Sequence, residues 1–259
     1  MSSEIYLVVA DKFHEFTLGK KAITVSQLTF MLKMPAHLLP GTIQIVPGQG
    51  VSDQAKHDIV AAVDATDPDR MRWDVDALRA LPAQACSHLS HKHKPSNTII
   101  AAPQQVDEDI FTVDLRIDPN CELMDDHQTG QHVQGMILVE AARQAFLAVT
   151  EEFFLTVTDQ KTFFVLNSMT TEFLGFVFPI PAQFVYRVVS KDINERRQKF
   201  SVEIDLAQAG ETRMTTRFSF IAYPHRVIAE KEAELASTAA NIALQHREAA
   251  TNSSGKRVA

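Results

Sequence analysis

Only two of the 259 residues are cysteine, Cys86 and Cys121, and they form neither a CxxC pair nor a familiar zinc spacing. A disulfide-stapled secreted scaffold is excluded by that count, and the usage suits a reducing compartment. Excess positive charge is lacking too: 25 Lys and Arg stand against 32 Asp and Glu, giving a net charge of −7 and a pI near 5.8. The electrostatic footprint of a nucleic-acid-binding protein is therefore missing. No run of about 18 apolar residues occurs, so no membrane-spanning helix is expected. The first residues, "MSSEIYLVVADKFHEF", lack the basic start and long apolar stretch of a signal peptide. Together these absences predict a cytoplasmic protein. A phosphate-cradling loop is absent as well. "PGQG" at 47–50 carries two glycines but no lysine and no GxGxxG spacing, and reads as a turn.

What is present suffices for a sizeable core, with 45% hydrophobic residues, and composition divides the chain into three regions. Residues 1–85 alternate strand-like and helix-like runs: "IYLVV", "SQLTFMLKM", "TIQIV", "DQAKHDIVAAV" and "DVDALRAL". They predict a small α/β region, in which no chemistry is evident. Residues 86–224 hold strand-like "NTIIAA" and "DIFTVDLRID", a long apolar helix, and then four further strand-like runs. In these runs Phe200, Val202, Ile204 and Leu206 alternate with polar residues, as do Met214, Thr216, Phe218 and Phe220. Period-two alternation over turn-bounded runs means antiparallel strands with one covered face. A helix apolar nearly all round must be buried on most sides, so the sheet should curl around it. The expected class is α+β with a hotdog fold, a curved antiparallel sheet wrapping one central helix. Residues 225–259 predict a C-terminal helix followed by a disordered "TNSSGKRVA".

The chemistry concentrates in "DDHQTGQHVQGMILVEAARQAF", residues 125–146. A helix starting near Gly135 places residues 136, 140, 143, 144 and 147 on one stripe. Glu140 and Arg143 thus share a face, with Gln144 one turn from Glu140. A buried carboxylate needs a partner or a task. An internal ion pair would supply the partner. The task would be that of a general base or an orienting group, and the apolar flanks favour it. Gly135 and Met136, at the helix N-terminus, can offer backbone N–H groups to a thioester carbonyl. His127 and His132, just upstream, are either acid/base groups or structural caps. The run "HLSHKH" (His88, His91, His93) reads as a solvated basic approach to the next strand rather than a metal site. Its lysines, Lys92 and Lys94, are positioned to meet an acidic carrier protein.

The stretch "DDHQTGQHVQGMILVEAARQ" resembles the signature of the A-factor biosynthesis (AfsA-type) hotdog family, approximately DHPxDHVPGMxLLEAxRQ, through His127, His132, Val133, Gly135, Met136, Leu138, Glu140, Ala141, Arg143 and Gln144. The upstream "HKHKPSNTIIA" is similar to the basic lead-in of that family's first strand. The resemblance implies transfer of a β-ketoacyl group from acyl carrier protein to the hydroxyl of an acceptor such as dihydroxyacetone phosphate, on the way to γ-butyrolactone signals. It implies that Glu140 activates or orients the hydroxyl, that Arg143 holds a phosphate or Glu140, and that Gly135 and Met136 hold the carbonyl oxygen. No metal or other cofactor is implied beyond the phosphopantetheine or CoA carrying the acyl group. Gln131 and Gln134 depart from the Asp and Pro of the pattern. Well-known members carry two hotdog repeats, whereas residues 1–85 hold no second "EAxRQ", so pairing of two chains in a homodimer is expected. Three alternatives remain open: a hotdog β-hydroxyacyl dehydratase using His127 with Glu140, a hotdog thioesterase, and a non-catalytic acyl-binding subunit.

Overall fold

The computed structural model describes residues 3–35, 38–39, 41–126, 129–155, 162–194 and 197–255. The chain begins with β1 (Ser3–Val9), α1 (His14–Thr17), β2 (Ala22–Thr24), α2 (Val25–Leu32), β3 (Thr42–Pro47), α3 (Asp53–Thr66), β4 (Trp73–Asp74) and α4 (Asp76–Ala80). Its four strands form a parallel sheet in the order β2-β1-β3-β4. Local chemistry explains the helix starts. Thr24 and Gln27 make a reciprocal capping box for α2, and the Ser52 hydroxyl caps α3 through the Ala55 N–H. Alternation in β3 buries Ile43 and Ile45 beneath Leu28, Ile59, Val63 and Leu78. β2 and β4 are too short to show a period in the sequence, and neither was expected.

After α5 (Ser87–Ser90) come β5 (Gln104–Asp107), β6 (Ile110–Asp114), α6 (Gly135–Phe153), β7 (Thr162–Phe173), β8 (Gln183–Asn194), β9 (Arg197–Gln208), β10 (Glu211–Pro224) and α7 (His225–Gly255). Strands β5 to β10 make one antiparallel sheet in the order β5-β6-β8-β9-β10-β7. The sheet wraps α6, as the alternation requires. Phe200, Ile204, Leu206, Met214 and Phe220 are all fully buried on its inner face. Ala141, Ala142, Ala145 and Ala148 let the sheet come close, and Phe146 packs against Phe220 and Phe218 with ring centroids 4.5 and 4.8 Å apart. This is the hotdog architecture.

Two expectations change. "NTIIAA" forms no strand. Ile99, Ile100 and Ala101 are buried, but they pair only through isolated bridges to Leu115 and Gln84. The apolar content was read correctly, while the neighbouring β6 is already occupied by β5 and β8. The tail also differs, because α7 continues through Thr251–Gly255 instead of ending before "TNSSGKRVA". An Ala-rich run with no glycine or proline before Gly255 offers no stop signal.

"PGQG" is a turn, and more than a turn. It ends β3 and drives Gln49 into the hotdog unit. Gln49 Nε2 donates to the carbonyls of Leu115 (3.0 Å) and Ile180 (3.3 Å), and its Oε1 accepts from Ile117 N–H (3.1 Å). A Cβ on Gly48 would lie 2.3 Å from the Pro179 carbonyl oxygen, so only glycine allows this approach. Arg116, itself buried, reaches back to Asp53 (2.9 Å) and to the Val51 carbonyl. Phe13 and Phe16, which follow β1, belong to the same core cluster as α6. A cleft of about 600 Å³ beside this junction is lined by Pro47, Leu81, Leu115 and Gln208 among others. Gln49 and Gln208 spend their amides on backbone groups there, so the cleft gains no reactive side chain from either.

Candidate functional site

Helix α6 begins at Gly135 with Gln134 as N-cap, and the Gln134 side chain makes no capping bond. The Ile137 N–H turns back to the Gln134 carbonyl at 3.1 Å. Among the described residues, no acceptor is recorded for the N–H groups of Gly135 and Met136. Met136 is exposed. Gly135 lies beneath an aromatic ring, and a Cβ there would sit 3.1 Å from Phe173 Cζ.

One turn further along, Glu140 is the centre of a charged cluster. Arg143 donates to both of its oxygens, Nε to Oε2 at 2.8 Å and Nη2 to Oε1 at 2.9 Å. Gln144 Nε2 donates to Oε1 at 3.0 Å, and Lys92 Nζ lies 2.7 Å from the same oxygen. Gln144 is itself fully buried, holding Ile99 N–H on its Oε1 and Asn97 O on its Nε2. Burial alone would raise the Glu140 pKa, but the hydrogen bonds from Arg143, Lys92 and Gln144 outweigh it and bring the carboxyl from 4.5 down to about 2. Glu140 is therefore ionised at neutral pH and a weak base. It can accept a hydrogen bond from a substrate hydroxyl far more readily than it can keep that hydroxyl's proton. A pocket of about 250 Å³ opens beside the cluster, walled by Lys92, Asn97, Cys121, Leu123, Met136 and Glu140. Burial pushes the Cys121 thiol up, so it does not supply a thiolate there.

His132 makes its contacts outside this cluster: it is half-buried, 3.2 Å from the Thr129 hydroxyl and tilted against the Phe176 ring at 4.8 Å. His127 lies outside the described residues, so its pairing with Glu140 has no geometry here. The loop that carries both histidines is held from the N-terminal unit. Lys12 donates to the Met124 carbonyl and Asp125, Phe16 N–H to the Gly130 carbonyl, and Gln131 Nε2 to the Glu15 carbonyl. Among the phenylalanines of β7, Phe164 packs in the core against Phe146, Phe163 lies tilted against His225, and Phe173 lies at the helix N-terminus. The "HLSHKH" run divides between two carboxylates of α6. His91 Nε2 is 2.9 Å and His88 Nε2 3.8 Å from Glu151, and Lys92 turns to Glu140. No metal-holding cluster of three or more His, Cys, Asp or Glu occurs among the described residues. Lys92 is the residue that sequence reading missed; it sits in a charged run with no spacing relation to α6.

The model of the A-factor biosynthesis hotdog domain family matches residues 73–224, more than half of the chain. The chain belongs to that family. A search of curated proteins finds no match. Among solved structures, a mutant thioesterase from Pseudomonas aeruginosa shares 16% identity over 52% of this chain and 89% of its own, with a TM-score of 0.39. The PaaI protein of the E. coli phenylacetic acid degradation operon shares 17% over 47% and 80%, with a TM-score of 0.32. A hypothetical thioesterase from Streptococcus pneumoniae, solved with coenzyme A, shares 13% over 47% and 84%, with a TM-score of 0.34. Among the described residues no helix is long and apolar enough to cross a membrane.

Proposed function

We propose that this protein is an acyl-thioester enzyme that transfers a β-ketoacyl group from acyl carrier protein to the hydroxyl of a small acceptor such as dihydroxyacetone phosphate. Membership of the A-factor biosynthesis family supports the reaction class. The observation that carries the reading is the ionised Glu140 at the wall of a small pocket, one turn from the N-terminus of α6. In this scheme the thioester carbonyl oxygen accepts from the N–H groups of Gly135 and Met136, free among the described residues, which stabilise the charge that builds up on it. The acceptor hydroxyl donates to Glu140 and is held for attack on the carbonyl carbon. The new C–O bond forms, the C–S bond breaks, and the phosphopantetheine thiol leaves with the proton. With its pKa near 2, Glu140 orients the hydroxyl, and a loop histidine, His127 or His132, carries the proton. Lys92, Lys94 and Arg143 outnumber the two carboxylates they pair with, Glu140 and Glu122, and the net positive charge suits an acidic carrier or a phosphate.

The active form in this proposal is a homodimer built on the edge strand β7. Cross-strand register sets Leu166, Met169 and Phe173 opposite Phe220, Phe218 and Met214, on the inner face of the sheet. Yet they are 45, 44 and 54% exposed in the single chain. A long unpaired edge with half-open apolar side chains is a template for a second copy.

Intact-protein mass spectrometry tests the reaction. Purified protein is mixed with medium-chain β-ketoacyl carrier protein, with and without dihydroxyacetone phosphate. Unloading of the carrier only when the triose is present, with formation of the phosphorylated ester, is the expected result. Unloading without the triose identifies a thioesterase instead. Turnover only of a β-hydroxyacyl thioester identifies a dehydratase, and no turnover of either substrate leaves an acyl-binding subunit.

A further inference from the structure

Lys92 reaches Glu140 through an unusual piece of backbone. Its ammonium is 2.7 Å from Glu140 Oε1, and only 25% of its side chain is exposed. The preceding residue, His91, ends α5 in the left-handed conformation, with φ 55 and ψ 33. Such a conformation is strained in a non-glycine residue and persists only where its surroundings hold it. Here they do. His91 Nε2 is 2.9 Å from Oε1 of Glu151, whose side chain is largely buried, and the ring stands edge-on to Phe164 at 5.4 Å. Glu140 and Glu151 lie about three turns, ~16 Å, apart on one face of α6. The consecutive side chains of His91 and Lys92 therefore reach toward opposite ends of one helical stripe. Between those ends Gln144 fastens the returning chain at Asn97 and Ile99.

We infer that Lys92 is a positioning residue of the candidate site, aimed at the Glu140 carboxylate by the His91–Glu151 buckle. The inference rests on the reading of Glu140 as the orienting carboxylate and goes one step beyond it. Oε1 receives Arg143 Nη2, Gln144 and Lys92, whereas Oε2 receives Arg143 Nε alone among the described residues. Lys92 adds a third, fully charged donor to Oε1 and closes it to any other, while Oε2 keeps capacity to accept one more hydrogen bond. Oε2 is then the oxygen left to meet the acceptor hydroxyl. The charged and titratable neighbours are few. Arg143 faces Glu140 from its own helix and Lys92 from the segment after α5, while Lys92 also feels Cys121 and Glu122 from the turn before the histidine loop.

The test uses the full chain with Lys92→Met, Lys92→Arg and Glu151→Gln, each checked for folding by circular dichroism. Carbon-13 NMR of the glutamate carboxyls, assigned with Glu140→Gln, follows the Glu140 titration and needs no catalytic activity. The midpoint should rise in Lys92→Met, return toward the wild-type value in Lys92→Arg, and rise in Glu151→Gln as the buckle opens. In the acyl-transfer assay, kcat should fall roughly 10–10²-fold in Lys92→Met and recover in part in Lys92→Arg. A wild-type titration in Lys92→Met overturns the inference. A wild-type titration in Glu151→Gln overturns the buckle. Should the titrations move as expected while the wild-type protein transfers no acyl group, the positioning stands and the functional reading fails.

Discussion

The low pKa of Glu140 has a consequence for stability that can be measured without a substrate. Its carboxyl falls from 4.5 to about 2 in the folded chain, so the folded state holds the ionised form more tightly than the unfolded state does. A depression of that size corresponds to about 3 kcal/mol. Because the folded pKa is the lower one, this stabilisation is fully present above pH 4.5 and is lost as the pH falls through the interval down to about 2. Glu140→Gln keeps the shape and removes the titration, so the other carboxylates cancel between the two proteins. Urea unfolding of both proteins at several pH values from 7 to 2.5 reads the difference. Wild type minus variant should be roughly constant from pH 7 to 5 and shrink by about 3 kcal/mol toward pH 2. Moderate salt should leave most of the effect, because Glu140 is only 18% exposed. A difference that stays flat across the acid range would refute the cluster as described, since Arg143 and Lys92 would then not be closing on the carboxylate.

Other consequences are as direct. Gln49→Ala leaves the Leu115 carbonyl and the Ile117 N–H without a buried partner, at about 1–3 kcal/mol each, while Gln208 still serves the Ile180 carbonyl. The expected loss in thermal denaturation is on the order of 10 °C, and a loss below about 2 °C would mean that water replaces the amide. Gly135→Val drives a side chain into the Phe173 ring over the free N–H groups, so turnover should fall by roughly 10²-fold or more while the fold survives. Normal turnover would remove the helix N-terminus from the reaction. Met169→Glu places a charge on the half-open inner face of β7, and sedimentation velocity should show the wild-type dimer giving way to monomer. A wild-type monomer, or a dimer that ignores the charge, would dismiss that edge as the contact.

The hotdog unit was legible because its code is local. Alternation at Phe200–Leu206 and at Met214–Phe220 reports which face of each strand is dry, and the apolar run after Gly135 reports a helix buried on most sides. The Glu140–Arg143–Gln144 group was equally readable, since three- and four-residue spacing fixes who meets whom on a helix. Lys92 was not readable, because its place depends on a left-handed residue and on a carboxylate three turns away from the one it touches. Gln49 was missed for a related reason. Its partners at Leu115, Ile117 and Ile180 belong to a surface that exists only once both units are folded. "NTIIAA" showed its burial plainly, but strand pairing depends on which segments flank β6 in the folded sheet.

Gln49 also sets an order on the making of the molecule. Its amide meets partners 66, 68 and 131 residues further along the chain. During synthesis the parallel sheet leaves the ribosome long before the segment around Ile180, so the end of β3 must wait with an unsatisfied glutamine and two bare glycines. At about 5–20 residues per second that wait lasts on the order of ten seconds, an interval in which the edge of the young sheet stands open to chaperones and to its neighbours. Completion of the hotdog sheet is therefore also what finishes the N-terminal unit.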